Sequence, residues 1–229
     1  MYKELETTFL LDINETIANK IFKDILYPWE ALSKISDFII ELGNELPADE
    51  FDKVGDNIWI AKSAKVAKSA HIDGPCIIDK DAEIRHCAFI RGKVIIGKGA
   101  VIGNSVELKN AIVFNMAQIP HYNYIGDSII GYKSHLGAQA LTSNVKSDKT
   151  LTTVNFNGNK IQTGLKKFGA IVGDNVEIGC STVLNPATVI GKNTNIYPLS
   201  FVRGYVPSNS ILKKDGKFYK KNEEHFNNN

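Results

Sequence analysis

Every sixth residue from Ile60 is a large apolar one: Ile60, Val66, Ile72, Ile78, Ile84, Ile90, Ile96, Ile102, Leu108 and Phe114. The positions four residues further on are mostly small: Ala64, Ala70, Cys76, Ala82, Ala88, Val94, Ala100, Val106 and Ile112. A second series runs through Val172, Ile178, Leu184, Ile190, Ile196 and Val202, with Val176, Thr182, Thr188, Thr194 and Ser200 as companions. Glycine follows the apolar residue at Gly97, Gly103, Gly173, Gly179 and Gly191. A period of six is neither the 3.6 of a helix nor the alternation of a strand. It suits a solenoid in which each hexad forms one side of a triangular coil. The large aliphatic points inward, the small residue fits near a corner, and glycine serves turns of unusual backbone geometry. A β-sandwich would require ten consecutive coincidences. The fold class predicted is therefore all-β, a parallel β-helix of hexapeptide repeats over residues 51–212. The period does not fix its hand.

The register also marks what is not solenoid. Residues 1–50 carry no hexads. Asn14 and Glu15 could open a helix to about Lys23, and residues 28–42 place Trp29, Leu32, Ile35, Ile39 and Leu42 on one face before Gly43. These 50 residues are expected to form a small helical cap over the open end of the solenoid. The register slips after Phe114, where Pro120 takes an apolar position, and Ile119, Ile125, Ile130 and Leu136 recover it with shifted spacing. Residues 144–169 lose the repeat, are polar and basic, and contain Asn157-Gly158. They are expected to form a protruding loop with a possible hairpin. Residues 213–229 read as a polar tail, mobile at its end.

Composition narrows the function. The net charge of +2 gives no bulk argument for nucleic acid. The three cysteines, Cys76, Cys87 and Cys180, do not suggest a disulfide framework, and the acidic N-terminus does not resemble a leader. No apolar run is long enough to span a bilayer. A cytoplasmic protein that binds neither nucleic acid nor membrane is expected.

Candidate chemistry gathers at the slip. His121 sits in IPHYNYIGD at the break, and imidazole can act as a general base near neutrality. Arg91 and Lys109 are eighteen residues apart, which is three hexads, so they should stack on one side of the prism. Stacked cations suit a phosphate or carboxylate. Taken singly, each of these is also a common surface residue.

The segments IRGKVIIGKGAVIGNSVELKNAIVFN and IPHYNYIGDSIIG resemble the acetyltransferase half of bifunctional sugar-1-phosphate nucleotidylyltransferase/amino-sugar-1-phosphate acetyltransferases. The downstream residues are similar to the archaeal branch of that family, and the likeness covers about residues 56–212. The resemblance implies a left-handed β-helix, a homotrimer with sites shared between subunits, and acetyl-CoA as co-substrate. By the same resemblance Arg91 and Lys109 would hold the phosphate of an amino sugar, Tyr124 and Asn144 would position the sugar, and His121 would be the catalytic base. Acetyl-CoA would lie near Ala138 and Cys180. This chain departs from the family pattern in three places. His135 stands where the family has asparagine and is carried as a substrate-binding position. Gln139 replaces a glycine. Threonines occupy the loop-lysine positions near Thr150 and Thr153, which leaves Lys146, Lys149, Lys166 and Lys167, with Lys167 expected at the cofactor. No glycine-rich nucleotide loop precedes the repeats, so nucleotidylyltransferase activity is not expected.

The function expected is an acetyl-CoA-dependent N-acetyltransferase acting on an amino-sugar phosphate or similar small amine. The alternative is a non-catalytic trimeric relative that binds a sugar phosphate or nucleotide. A zinc hydratase on the same solenoid would need three converging histidines. The five present, His71, His86, His121, His135 and His225, lack the close pair that resemblance to that class would require, so no metal is expected.

Overall fold

A computed structural model describes residues 2–221. Its body is a three-sided parallel β-helix of short strands stacked coil upon coil. The first face contains Ile58–Ala61, Cys76–Ile78, Val94–Ile96, Ala170–Val172 and Thr188–Ile190. The second contains Glu83–Ile84, Val101–Asn104, Gln118–His121, His135–Leu136 and Glu177–Ile178. The third contains His71–Asp73, Phe89–Arg91, Leu141–Thr142 and Val183–Leu184. Two longer strands, Glu107–Val113 and Tyr124–Ile130, run from the third face onto the first. The inward column of Ile78, Ile84, Ile90, Ile96, Ile102 and Leu108 is buried throughout, as the hexads require. Each such side chain contributes roughly 1.5–3 kcal/mol by leaving water.

The register slips earlier than the sequence suggested. Val113, not Phe114, pairs with Ile96 and faces inward, and Ala111 rather than Ile112 is its small companion. Phe114 faces out and packs against Phe22. One residue is missing between Leu108 and Val113, and one again between Ile125 and Ile130, since Ile95 pairs with Ile112 and Ile112 with Ile129. Both deletions fall at the corner joining the third face to the first. Asn110 and Asp127 turn those corners with φ of 49° each. Ile119, Ile125, Ile130 and Leu136 resume the inward column.

The N-terminal residues do not sit over an open end. They lie along the first face, where the helix Ile35–Glu45 contacts the strands Cys76–Ile78, Val94–Ile96 and Glu107–Val113. The outward positions of that face, Ile77, Ile95, Ile112, Ile129, Ile171 and Val189, are fully buried beneath this cover. Strands buried on both faces read as continuous apolar runs, which explains CII, VII, SII and TVI along the chain. The helix expected over 14–23 is only a short 3-10 turn at Asn19–Phe22. Residues 28–42 divide into a 3-10 turn at Pro28–Ser33 and the helix Ile35–Glu45. That helix runs through Gly43, where a Cβ would meet the Trp59 ring at 2.4 Å, so glycine is required for contact rather than for termination. Asp174 ties the cover to the prism by accepting from the backbone N–H of Asp12 at 2.7 Å and of Tyr132 at 2.9 Å.

Residues 144–169 leave and rejoin the solenoid at the same third-to-first corner. They hold a hairpin, Thr153–Phe156 paired with Asn159–Gln162, turned by Asn157 and Gly158 at positive φ. The hairpin does not project freely: Val154 and Phe156 are buried, and Phe156 packs between Tyr2 and Tyr205. Phe168 N donates to Asn144 O at 3.0 Å and Gly169 N to Asp127 O at 2.8 Å, which closes the neck. A Cβ on Gly169 would meet the Gly126 carbonyl at 2.3 Å, so only glycine permits that return. Beyond residue 212 the tail is structured further than expected, since Phe218–Lys220 pairs antiparallel with Ser210–Leu212. The end of the tail expected to be mobile lies outside the described residues.

Candidate functional site

The shortened corner opens a cleft of about 290 Å³. Lys93, Lys109, Asn110 and Asp127 form its floor, Leu32, Ser33 and Ser36 of the N-terminal cover one wall, and Leu165, Lys166 and Lys167 of the excursion the other. The N-terminal cover and the excursion meet across the shortened corners at Asn110 and Asp127.

A chain of polar contacts crosses the floor. Asn110 Nδ2 donates to the Leu32 carbonyl at 3.2 Å and to Asp127 Oδ1 at 2.9 Å. Asn144 Nδ2 donates to Asp127 Oδ2 and to the Tyr124 hydroxyl oxygen, the latter at 3.2 Å. Gly126 makes room for this pair, since a Cβ there would meet Tyr124 Oη at 2.5 Å and Asn144 Nδ2 at 2.9 Å. Burial, with Asp127 and Glu107 nearby, raises the Tyr124 phenol above its usual range and keeps it protonated. Asp127 is only 6 % exposed, so its contacts fix the geometry rather than decorate it.

Arg91 and Lys109 do occupy adjacent coils of the third face, one residue beyond the pairing of Ile90 with Leu108. Their roles separate, however. Arg91 donates to Glu107 Oε1 at 2.6 Å and lies over the Phe89 ring. Lys109 faces the cleft. Burial, and then the Lys167 ammonium, hold its pKa below the ordinary lysine range.

His121 stands at the opposite edge of the third face, on the corner shared with the second. Gln139 N donates to the His121 carbonyl, Ser181 N to Ala138 O and Leu199 N to Cys180 O, so His121, Ala138 and Cys180 form one vertical column. Asn123 fixes that corner: its Oδ1 accepts from the His121 N–H at 3.1 Å, and its amide donates to Gly137 O at 2.9 Å and Ala140 O at 2.8 Å. The His121 imidazole is exposed and has no hydrogen-bond partner among the described residues. Gln139, at φ 63°, turns its carbonyl oxygen toward Ser181 Oγ at 3.1 Å along the same column.

Two expected residues lie elsewhere in this chain. His135 is on the second face, paired with Glu177 Oε2 at 2.9 Å, and so does not face Tyr124 or Lys109. Lys167, expected beside the cofactor with Ala138 and Cys180, lines the cleft with Lys109 instead, because the neck of the excursion delivers it to the other corner. Asn110, Asn123 and Asp127 were not singled out from sequence. Positions where the hexad count falls by one would have flagged Asn110 and Asp127; Asn123 carries no sequence signal. Among the described residues no group of three His, Cys, Asp or Glu side chains could hold a metal ion.

The chain is similar in sequence to known proteins. Residues 72–162 match the model of the GMPPB C-terminal domain. The bifunctional protein GlmU of Methanococcus maripaludis (strain C7) is 38 % identical over 200 residues, covering 86 % of this chain but 48 % of that protein. The chain thus spans about half or less of the length of such curated relatives. The polySia-specific acetyltransferase NeuO, a solved structure, is 14 % identical with a TM-score of 0.46, covering 73 % of this chain and 88 % of that one. The uncharacterized acetyltransferase YaiX of Escherichia coli O6:K15:H31 is 31 % identical over 213 residues, 87 % of this chain and 92 % of that protein. A match of that extent, on a three-sided prism of hexapeptide coils, makes this chain a member of the left-handed β-helix acetyltransferase family to which YaiX and the acetyltransferase half of GlmU belong.

Proposed function

We propose that this protein transfers an acetyl group from acetyl-CoA to the amine of an amino-sugar phosphate. The observation that carries the reading is the placing of His121. Its unpartnered imidazole shares a column with Ala138 and Cys180, and its strand leads within three residues to Tyr124 and the Asn144 contact. Acetyl-CoA would run along the column, and the amino sugar would cross the third face between His121 and Lys109. The amine nitrogen attacks the thioester carbon as His121 takes its proton, and the tetrahedral oxyanion then collapses and expels the CoA thiolate, which the imidazolium protonates. Tyr124 and Asn144 hold the sugar, and Arg91 and Lys109 supply positive charge for its phosphate.

The same reading includes a homotrimer. The N-terminal cover and the hairpin occupy the first face, leaving the second and third faces, which meet at the His121 corner, for neighbouring subunits. Packing a neighbour's second face against the third would carry its His135 toward the acceptor. Exposed Tyr122, Leu199 and Phe201 at that corner support burial there. A cytoplasmic setting accords with three unpaired cysteines, and no helix among the described residues is long and apolar enough to cross a membrane.

The test is release of free CoA with glucosamine 1-phosphate and galactosamine 1-phosphate, comparing wild type with His121→Ala. Release by wild type that falls at least about a hundredfold in the variant supports the reading. No release with any amino sugar, together with no acetyl-CoA binding by calorimetry, would sink it. Gln139 favours a second reading, a binding protein without turnover, because its side chain occupies the column where the family has glycine. Gln139→Gly creating CoA release absent from wild type would establish that reading.

A further inference from the structure

The cleft is lined by three lysines, Lys93, Lys166 and Lys167, to which the acceptor reading gives no role. Lys93, Lys109, Lys166 and Lys167 converge on it from two coils and from the excursion. Among the described residues none of the four has a carboxylate within ion-pair distance. The acid in the cleft, Asp127, accepts from Asn110 and Asn144 and offsets part of the positive charge at Lys109, one carboxylate against four ammonium groups. Burial, and then repulsion from the Lys167 ammonium, make Lys109 easier to deprotonate. An arrangement of this kind is relieved by an anion bearing several oxygens. Ser33 and Ser36 bring hydroxyls to the facing wall. Ser36 lies in the first turn of the helix Ile35–Glu45, whose start has no capping side chain and adds its partial positive charge to the same field. Arg91, by contrast, already has Glu107 as a partner.

We propose that this cleft is a phosphoryl-binding site, in which Lys93, Lys166 and Lys167 join Lys109, with Ser33 and Ser36, around the oxyanion of a phosphorylated small molecule. The N-terminal cover is then a specificity element that completes the site by supplying a wall the solenoid lacks. The inference deepens the transferase reading and rests on it for the identity of the ligand as the acceptor. The phosphate enters the cleft, and the amine end reaches back across the third face toward His121.

The test uses calorimetry on the full chain with inorganic phosphate, pyrophosphate and glucosamine 1-phosphate. Wild type is compared with the triple variant Lys93→Gln, Lys166→Gln, Lys167→Gln; all three lysines are exposed, and thermal melting checks that the variant folds. The expected result is binding to wild type that weakens by about tenfold or more in the triple variant. Tighter binding of pyrophosphate than of phosphate supports the site and assigns a diphosphate ligand; the reverse order supports it and assigns a monoester. Equal affinity in wild type and variant, or no binding of any of the three to wild type, overturns the cleft even if CoA release is intact. Binding lost in the variant without CoA release from wild type overturns the transferase reading and leaves the cleft standing.

Discussion

Asn110 and Asp127 stand one coil apart at the same shortened corner, and the Asn110 carboxamide donates to Asp127 Oδ1 at 2.9 Å while also donating to the Leu32 carbonyl. The pair links three parts of the chain that are remote in sequence: the N-terminal cover, the prism corner and, through Asn144, the neck of the excursion. Replacing Asp127 by alanine removes a charged acceptor from each of two half-buried amides, leaving Asn110 with the Leu32 carbonyl and Asn144 with the Tyr124 hydroxyl. We expect Asp127→Ala to destabilise the fold by about 2–4 kcal/mol, read from the urea midpoint at unchanged slope. A shift under about 0.5 kcal/mol would show that the network is not structural.

Gly126 is the spacer of the Tyr124 and Asn144 contact. A Cβ there would displace the phenol, which lies 2.5 Å from its place. Gly126→Ala should therefore raise the KM for the acceptor more than it lowers the melting temperature. An unchanged KM would mean that Tyr124 does not touch the acceptor.

Asn123 is buried and satisfies two carbonyls of the next turn while holding the His121 N–H. Asn123→Ala takes a donor from both carbonyls, of which Gly137 O keeps the Ala140 N–H, at a cost of about 1–3 kcal/mol. Because the same loop aims His121, kcat should fall with it. Denaturation and steady-state kinetics on one preparation test both halves, and loss of stability with full kcat would separate them.

His135 gives the fold a pH dependence. Its hydrogen bond to Glu177, outweighing burial, raises its pKa above the ordinary 6.5. The folded state holds this proton more tightly than the unfolded one. The stabilisation is therefore fully present below the unfolded pKa and is lost as pH rises through the raised folded value. The difference in melting temperature between wild type and His135→Gln should be larger near about pH 6 than near about pH 8.5. A difference that does not change with pH would contradict the pairing. The pair is substantially exposed, so the effect will be small.

The inward column could be read from the sequence because a solenoid repeats one environment every hexad, and water exclusion selects the same residue class each time. The outward apolar column, Ile77, Ile95, Ile112, Ile129, Ile171 and Val189, was equally present in the sequence. The expectation of a cap over the open end left that column unused, and the structure shows the N-terminal residues covering it. His121, Ala138 and Cys180 fall into one column for the same reason, since coil spacing is local arithmetic.

The cleft was not legible in that way. A missing residue in a coil appears in sequence only as a slip, and the slip at Asn110 was hidden because Ile112 and Phe114 are also apolar and kept the six-residue count running. Which charge pairs with which depends on where the excursion returns, and that is set by the Gly169 approach to Gly126 and by the neck hydrogen bonds. The sequence by itself determined the prism and its corners, because periodic burial is a local property. Only the tertiary structure decided that Leu32, Asp127 and Lys167 meet, because that contact joins three segments whose separations along the chain carry no period.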